Sequence, residues 1–159
     1  MTANTGRTVS KFVQFNVSDS GDTLRSIPVD SINDVGLTYE EMDVTALQDA
    51  IKNVLPGHPS CVINITGPVD TSVVAAAGTL SGSHTVLSGI VGGYTPLSLD
   101  VKIGIRQAWD AEPQFGITAS ATSGFLCTEY KVNPQTSKYS AKFVVMGGTA
   151  PAWGSTAET

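Results

Sequence analysis

Four side chains of the metal-binding type occur in the sequence, but their spacing is not that of a metal site. His58 and Cys61 lie three residues apart. Together with His84 and Cys127 they could in principle form a Cys2His2 zinc site. Such a site takes its ligands as two closely spaced pairs, whereas His84 and Cys127 each stand alone. We therefore expect loop histidines and buried thiols, and we assign neither a metal nor a cofactor.

The acidic residues also lack an arrangement suited to catalysis. Glu40, Glu41 and Asp43 are close in sequence, and carboxyl groups can act as general acids and bases. Adjacent residues of an extended segment point to opposite faces, so Glu40 and Glu41 do not converge on one substrate. The sequence contains no phosphate-binding loop, nucleophile elbow or dinucleotide-binding fingerprint. We therefore expect a protein that is not an enzyme, with this acidic stretch facing solvent or a partner.

Charge is sparse and unevenly distributed along the chain. Only 14% of the 159 residues are charged, against roughly 25% in an average soluble domain, and the net charge is −5. Eight acidic residues and one arginine lie between Asp19 and Asp49, whereas Lys131 to Lys142 contains three lysines and no acid. This pattern fits either a solvated surface or an oligomer whose copies pair an acidic edge with a basic one. The negative net charge disfavours binding to nucleic acid through phosphate neutralisation.

The elements that must position these residues are mostly strands. Alternating apolar residues and turn clusters predict a mainly β fold, a β-sandwich or barrel with one or two short helices. Apolar and polar residues alternate most regularly in the segment 97–105. Its odd-numbered residues are all apolar, and we expect them to face the core: Leu97, Leu99, Val101, Ile103 and Ile105. Ser98, Asp100 and Lys102 then lie on the opposite face.

Two short helices are predicted between the strands. Thr45 and Gln48 form a capping box at the start of the first helix, and Pro56-Gly57 ends it. Its apolar stripe consists of Leu47, Ile51, Val54 and Leu55. A helix of about ten residues is marginal in water, so this stripe must be buried, either in a neighbouring copy or against the helix's own barrel. The second helix spans residues 84–91 and packs through Val86, Leu87, Ile90 and Val91.

The chain is expected to form one domain. We assign a flexible N-terminal segment to residues 1–10, a single β-rich domain to residues 11–148 and a C-terminal tail to residues 149–159. No secretory signal is visible, and no apolar run approaches the ~20 residues needed to span a bilayer. Synthesis in the cytoplasm is therefore the default expectation.

An ordered series of segments between residues 11 and 150 resembles a known family. The segments are the run 31–70 with its Asp43-Val-Thr step, Pro56-Gly57 and Gly67, followed by 84–91, 125–132 and 139–147. Together they resemble the major tail (tail tube) proteins of long-tailed bacteriophages. The segment 84–91 is similar to the family's single packed helix, and the last two segments are similar to its closing strand pair.

The resemblance implies a virion structural protein that is made in the host cytoplasm and resides in the phage tail. Such proteins self-assemble into hexameric rings whose inner sheets join into one barrel, and the rings stack into a hollow tube for DNA ejection. The implied partners are further copies of the chain and other tail proteins. DNA would touch the lumen transiently, because an acidic lumen repels phosphates. The alternatives are a head decoration or tail completion protein, or a cellular β-sandwich binding module.

We expect the contact between copies to centre on residues 36–57, since tail tube proteins clasp their neighbours with a projecting loop. The acidic and apolar contact residues are Tyr39, Glu40, Glu41, Met42, Asp43, Leu47, Ile51, Val54 and Leu55. The basic residues that would meet them on the next copy are Lys131, Lys138 and Lys142. Ser98, Asp100 and Lys102 are candidates to face the channel.

Overall fold

A computed structural model describes residues 13–73, 80–103 and 112–156. The segment 1–10, predicted to be flexible, lies outside these ranges, as does Ile105. The described part of the chain is mainly β and contains one short helix, α1, at Ser83–Leu87. No helix in these ranges is long and apolar enough to cross a membrane.

Three antiparallel sheets account for the strands. The strands are β1 Val13–Ser18, β2 Leu24–Ser26, β3 Ser31–Ile32, β4 Thr38–Asp43, β5 Val54–Ser60, β6 Val62–Pro68, β7 Leu99–Ile103, β8 Glu112–Ile117, β9 Gly124–Asn133, β10 Lys138–Met146 and β11 Ala152–Thr156. A five-stranded sheet has the order β11-β8-β7-β1-β2, and a four-stranded sheet has the order β3-β6-β10-β9. The remaining two strands, β4 and β5, pair only with each other. The prediction of a mainly β fold is therefore confirmed.

One hydrophobic core lies between the five-stranded and four-stranded sheets. From the first sheet, β1 contributes Phe15 and Val17, and β7 contributes Leu99 and Val101. The rings of Phe15 and Phe143 approach to 5.6 Å between centroids, which joins this sheet to β10 of the second. The predicted inward face of 97–105 is confirmed for Leu97, Leu99 and Val101, while Ile103 packs at the edge of the core.

The predicted second helix is present but shorter than expected. Only Ser83–Leu87 is α-helical, and a turn continues the chain through Gly92. Val86, Leu87 and Ile90 are buried as predicted, whereas Val91 is exposed. Gly92, with a φ of 75°, ends the turn in the left-handed region that favours glycine.

The predicted helix between Thr45 and Leu55 is absent, and this expectation was wrong. The chain instead makes a loop after β4 and returns as β5, which begins at Val54 and runs through Pro56-Gly57. The C-terminal region also differs from a simple tail. Ala152–Thr156 forms strand β11, which pairs with β8 at the edge of the five-stranded sheet.

Candidate assembly surface

The β4–β5 hairpin stands apart from the core. Every residue of β4 is exposed, and in β5 only Gly57 is partly covered. Gly57 leaves space for Met42, because a Cβ built on this glycine would lie 2.9 Å from the Met42 sulfur. The hairpin is thus a ribbon whose two faces are both accessible in the single chain.

Polar side chains close the loop at the end of the ribbon. The Thr45 hydroxyl accepts a hydrogen bond of 2.7 Å from the Asn53 amide, and the Ala46 amide donates to the Asp49 carboxylate at 2.8 Å. Asn53 also donates its side-chain amide to Asp49 at 2.8 Å. Thr45, which the capping-box pattern placed at a helix start, therefore braces a hairpin loop instead.

The expected helix fails because its residues have better local alternatives. Asp49 and Asn53 are weak helix formers whose side chains readily bond nearby backbone groups in turns. Val54 is β-branched and favours a strand. A ten-residue helix needs a surface to pack on, and the chain supplies none here.

The apolar side chains of the failed stripe remain exposed. Leu47 is 102% exposed and Ile51 is 73% exposed, at the tip of the hairpin. Five further large apolar residues of this region are also exposed, namely Tyr39, Met42, Val44, Val54 and Leu55. Exposed apolar patches often take part in association, so this projection is a candidate contact surface. We call the ribbon and its loop, residues 38–60, the assembly hairpin.

The assembly hairpin is also acidic. It carries Glu40, Glu41, Asp43 and Asp49 against one cation, Lys52. Hydrogen bonds from Thr45 lower the pKa of Asp43, and hydrogen bonds from Ala46 and Asn53 lower the pKa of Asp49. Both carboxylates are therefore held in their charged form at neutral pH.

The three predicted basic residues share the outer face of the four-stranded sheet. In β10, Tyr139, Ala141 and Phe143 point into the core, so Lys138 and Lys142 point away from it. Lys131 lies on the same outer face, because it is opposite Ser140 in the β9–β10 ladder.

Two of these lysines already have partners within the chain. Lys138 forms an ion pair with Asp30, and the Lys131 Nζ atom lies 3.3 Å from the Glu129 Oε1 atom. Lys142 makes no ion pair with any residue that the structure describes. Of the three predicted lysines, it is therefore the one without an ion-pair partner among the described residues.

The predicted channel-facing residues lie on the outer face of the five-stranded sheet. Asp100 is only 8% exposed, and its Oδ2 atom accepts a hydrogen bond of 3.0 Å from Gln114. Its Oδ1 atom is buried without a partner, unlike any other side-chain oxygen or nitrogen among the described residues. Burial raises the pKa of Asp100, although the charge of Lys102 and the nearby Asn16 side chain oppose this effect.

The candidate metal ligands do not come together. Both cysteines are buried thiols, and burial raises the pKa of Cys127 to about 11. The His84 Nδ1 atom lies 2.9 Å from the Tyr130 hydroxyl, which accounts for its position beside β9. Within residues 13–73, 80–103 and 112–156, no group of three metal-ligating side chains occurs.

Sequence reasoning missed the role of Trp153. The ring of this residue in β11 lies 5.1 Å from that of Phe115, and its indole edge lies over Gly36, where a Cβ would be 3.9 Å from the ring. The sequence did contain a sign of packing here, because Trp153 is a large aromatic residue in the segment that we assigned to the C-terminal tail. Gly36 has a φ of 147°, and the chain passes from there directly into β4.

Comparison with known proteins shows similarity in structure but not in sequence. No family model matches the chain, and no curated protein matches its sequence. A chain of the sheath–tube complex of PVC, an extracellular contractile injection system in its extended state, matches with a TM-score of 0.52 and 13% identity. This alignment covers 97% of the present chain and 95% of the other.

A chain from the sheath/tube terminator of the same system also matches. Its TM-score is 0.52 at 11% identity, and the alignment covers 93% of the present chain and 96% of the other. Both alignments span nearly the whole of each chain. The protein therefore has a mainly β fold of the tail-tube type.

Proposed function

We propose that this chain is a structural subunit of a tail tube and has no enzymatic role. Its copies form hexameric rings that stack into a hollow tube, and the tube belongs to a phage tail and conducts DNA at ejection. The observation that carries the proposal is the assembly hairpin, an exposed, acidic and apolar ribbon on a fold shared with a sheath–tube complex. The chain is made in the host cytoplasm and functions in the assembled particle with other tail proteins.

The hairpin supplies a contact that the single chain cannot satisfy. Its apolar tip gains free energy only when it is covered, since burying a Leu or Ile side chain contributes about 1.5–3 kcal/mol. Its carboxylates could pair with Lys142 on the outer face of the four-stranded sheet, since this lysine has no ion-pair partner among the described residues. A projection that fits a different surface of the next copy makes a head-to-tail contact, and repetition of that contact gives rings or filaments.

The edges of the five-stranded sheet suit the closure of a ring. Strand β11 lies at one edge, and at the other the three-residue β2 covers only part of β1. Each neighbouring pair from β11 to β1 is antiparallel, so β11 and β1 point in opposite directions. In a ring, β11 of one copy would therefore meet the open part of β1 in the next as an antiparallel neighbour, which removes both edges.

The outer face of this sheet suits a channel for DNA. It carries Ser98, Asp100 and Lys102, and the chain as a whole has a net charge of −5. Asp100 is only 8% exposed and Lys102 is half-buried, so this face presents little charge to a phosphate. A wall that is polar and not basic lets DNA slide without binding.

Negative-stain electron microscopy of the purified full chain tests the proposal. We expect hollow tubes of uniform width, or rings of six subunits, at high protein concentration. Particles that stay monomeric over a range of salt and protein concentrations would contradict it.

A second candidate is a terminal subunit that caps a tube, because the fold also matches a sheath/tube terminator. In that role the present chain would end a tube and would not extend it. The same micrographs separate the two functions, since isolated rings that never stack favour the terminator.

A further inference from the structure

Trp153 joins the edge of the five-stranded sheet to the base of the assembly hairpin. Its backbone pairs with Phe115 in the β8–β11 ladder, so both side chains lie on the core face of that sheet. Phe115 is completely buried, whereas Trp153 is 52% exposed. The indole extends past the core toward Gly36, two residues before β4 begins, and a Cβ built on this glycine would lie 3.9 Å from the ring.

The base of the hairpin packs against the core through a few side chains, namely Val35, Leu37 and the buried Cys61. Two chain segments, 33–38 and 60–62, line a cleft of about 430 Å³ at this point. Gly36 lies there beside Cys61, where its amide opposes the rise that burial causes in the pKa of the thiol, and near the indole of Trp153. Because neither β4 nor β5 joins a larger sheet, the contacts at the base attach the ribbon to the rest of the chain.

We propose that Trp153 is a positioning residue that couples two contact surfaces of the subunit, the β11 edge and the assembly hairpin. The partner at both surfaces is a second copy of this chain, so the inference rests on the proposed function. When β11 joins the sheet of a neighbour, the strand and its tryptophan are fixed, and the base of the hairpin is fixed with them. Ring closure thereby orients the hairpin for the next contact.

The coupling has a physical basis in conformational entropy. A hairpin that moves about its base loses that freedom when it binds, which weakens the contact. If pairing of β11 with a neighbouring copy fixes Trp153, the hairpin has less freedom left to lose when it binds. The contact at β11 and the contact at the hairpin then become cooperative.

The test compares Trp153→Ala with the wild-type chain and with Val132→Ala as a matched control. Val132 is an exposed apolar residue of another edge strand, β9, far in sequence from the hairpin. Amide hydrogen exchange is measured on the full chain below the concentration at which it assembles. We expect exchange in residues 38–60 to become about tenfold faster in Trp153→Ala, the factor for losing one aromatic contact. Exchange in β6 and β10 should not change, and Val132→Ala should behave as the wild type.

Unchanged exchange in the hairpin of a folded Trp153→Ala protein would overturn the inference. If that variant does not fold, Trp153→Phe gives the same test, because its smaller ring keeps a contact with Phe115 but recedes from Gly36. Should it also leave hairpin exchange unaltered, the inference fails.

Assembly of the same variants distinguishes this inference from the proposed function. If the wild type forms tubes and Trp153→Ala forms them with the same concentration dependence, the coupling is wrong and the tube function stands. If the wild type forms neither tubes nor rings, the proposed function fails, whatever the hairpin exchange shows.

Discussion

Asp100 illustrates how a polar residue can be kept on a sheet face at a cost to stability. Its carboxylate is buried with one oxygen unpartnered, and burial raises its pKa. A carboxyl group whose pKa is higher in the folded state binds protons more tightly when folded. Stability from this group is therefore lost as the pH rises through that raised pKa.

We expect Asp100→Asn to be more stable than the wild type at pH 7, because the variant has no buried charge. The advantage should shrink as the pH falls toward the ordinary pKa of an aspartate, where the wild-type carboxyl is protonated. The difference in stability is measured by thermal unfolding of both proteins between roughly pH 3 and pH 7.

Asp19→Asn is the control with the opposite sign. Despite some burial, hydrogen bonds from Thr23, Arg25 and Gly21 lower the pKa of Asp19. The Asp19 carboxylate therefore stabilises the fold at neutral pH, and this stabilisation is lost as the pH falls through the lowered pKa. We expect Asp19→Asn to be less stable than the wild type at pH 7. If Asp100→Asn lost stability at pH 7 as Asp19→Asn does, the environment assigned to Asp100 would be wrong.

Among the elements, the assembly hairpin offers the sharpest test of association. We expect the double variant Leu47→Ser and Ile51→Ser to fold normally, because exposed sites usually change stability by less than about 0.5 kcal/mol. Burial of two such side chains in a contact contributes about 3 kcal/mol or more, so the concentration needed for assembly should rise about a hundredfold. Circular dichroism reports the fold, and light scattering with electron microscopy reports assembly.

The control carries the same chemical change elsewhere on the surface. Val73 and Tyr94 are exposed apolar residues outside the hairpin, and Val73→Ser with Tyr94→Ser should assemble as the wild type does. Equal loss of assembly in both double variants would show that general surface hydrophobicity matters more than the hairpin.

The elements differ in how well the sequence predicts them. The strand at Leu99–Ile103 follows directly from its alternation, since one face must be buried. The hairpin could not be predicted in this way, because neither of its faces is buried and its apolar residues happen to fall at helical spacing. The structure shows Leu47 and Ile51 exposed in the single chain, and the packing of this stripe on another copy stays a prediction.

At the scale of the whole molecule, the hairpin is acidic, whereas the outer face of the four-stranded sheet carries three lysines. If these two surfaces meet between copies, Lys142→Glu should weaken assembly at low salt by roughly tenfold in the required concentration. The further change of Glu41→Lys should restore part of the loss. Light scattering over a series of salt concentrations measures both effects.

Lys52→Glu is the control for net charge, because it makes the same change of charge on the acidic hairpin itself. In the proposed contact Lys52 would face the lysines of the next copy, so its charge does not favour that contact. We expect it to leave assembly unchanged or slightly stronger. A loss equal to that of Lys142→Glu would indicate that total charge, and not this pairing, controls association.

The two prolines of β5 have a consequence for the protein before it assembles. Pro56 and Pro59 are opposite Glu41 and Tyr39 in the hairpin ladder, and each lacks the amide that a further strand would need as a donor. An exposed two-stranded ribbon is otherwise a template for stray pairing, and proline in an edge strand is a known protection against it. The β5 edge of the ribbon is thus protected against fibril-like pairing in the single chain, and its side chains rather than its backbone are what a partner can recognise.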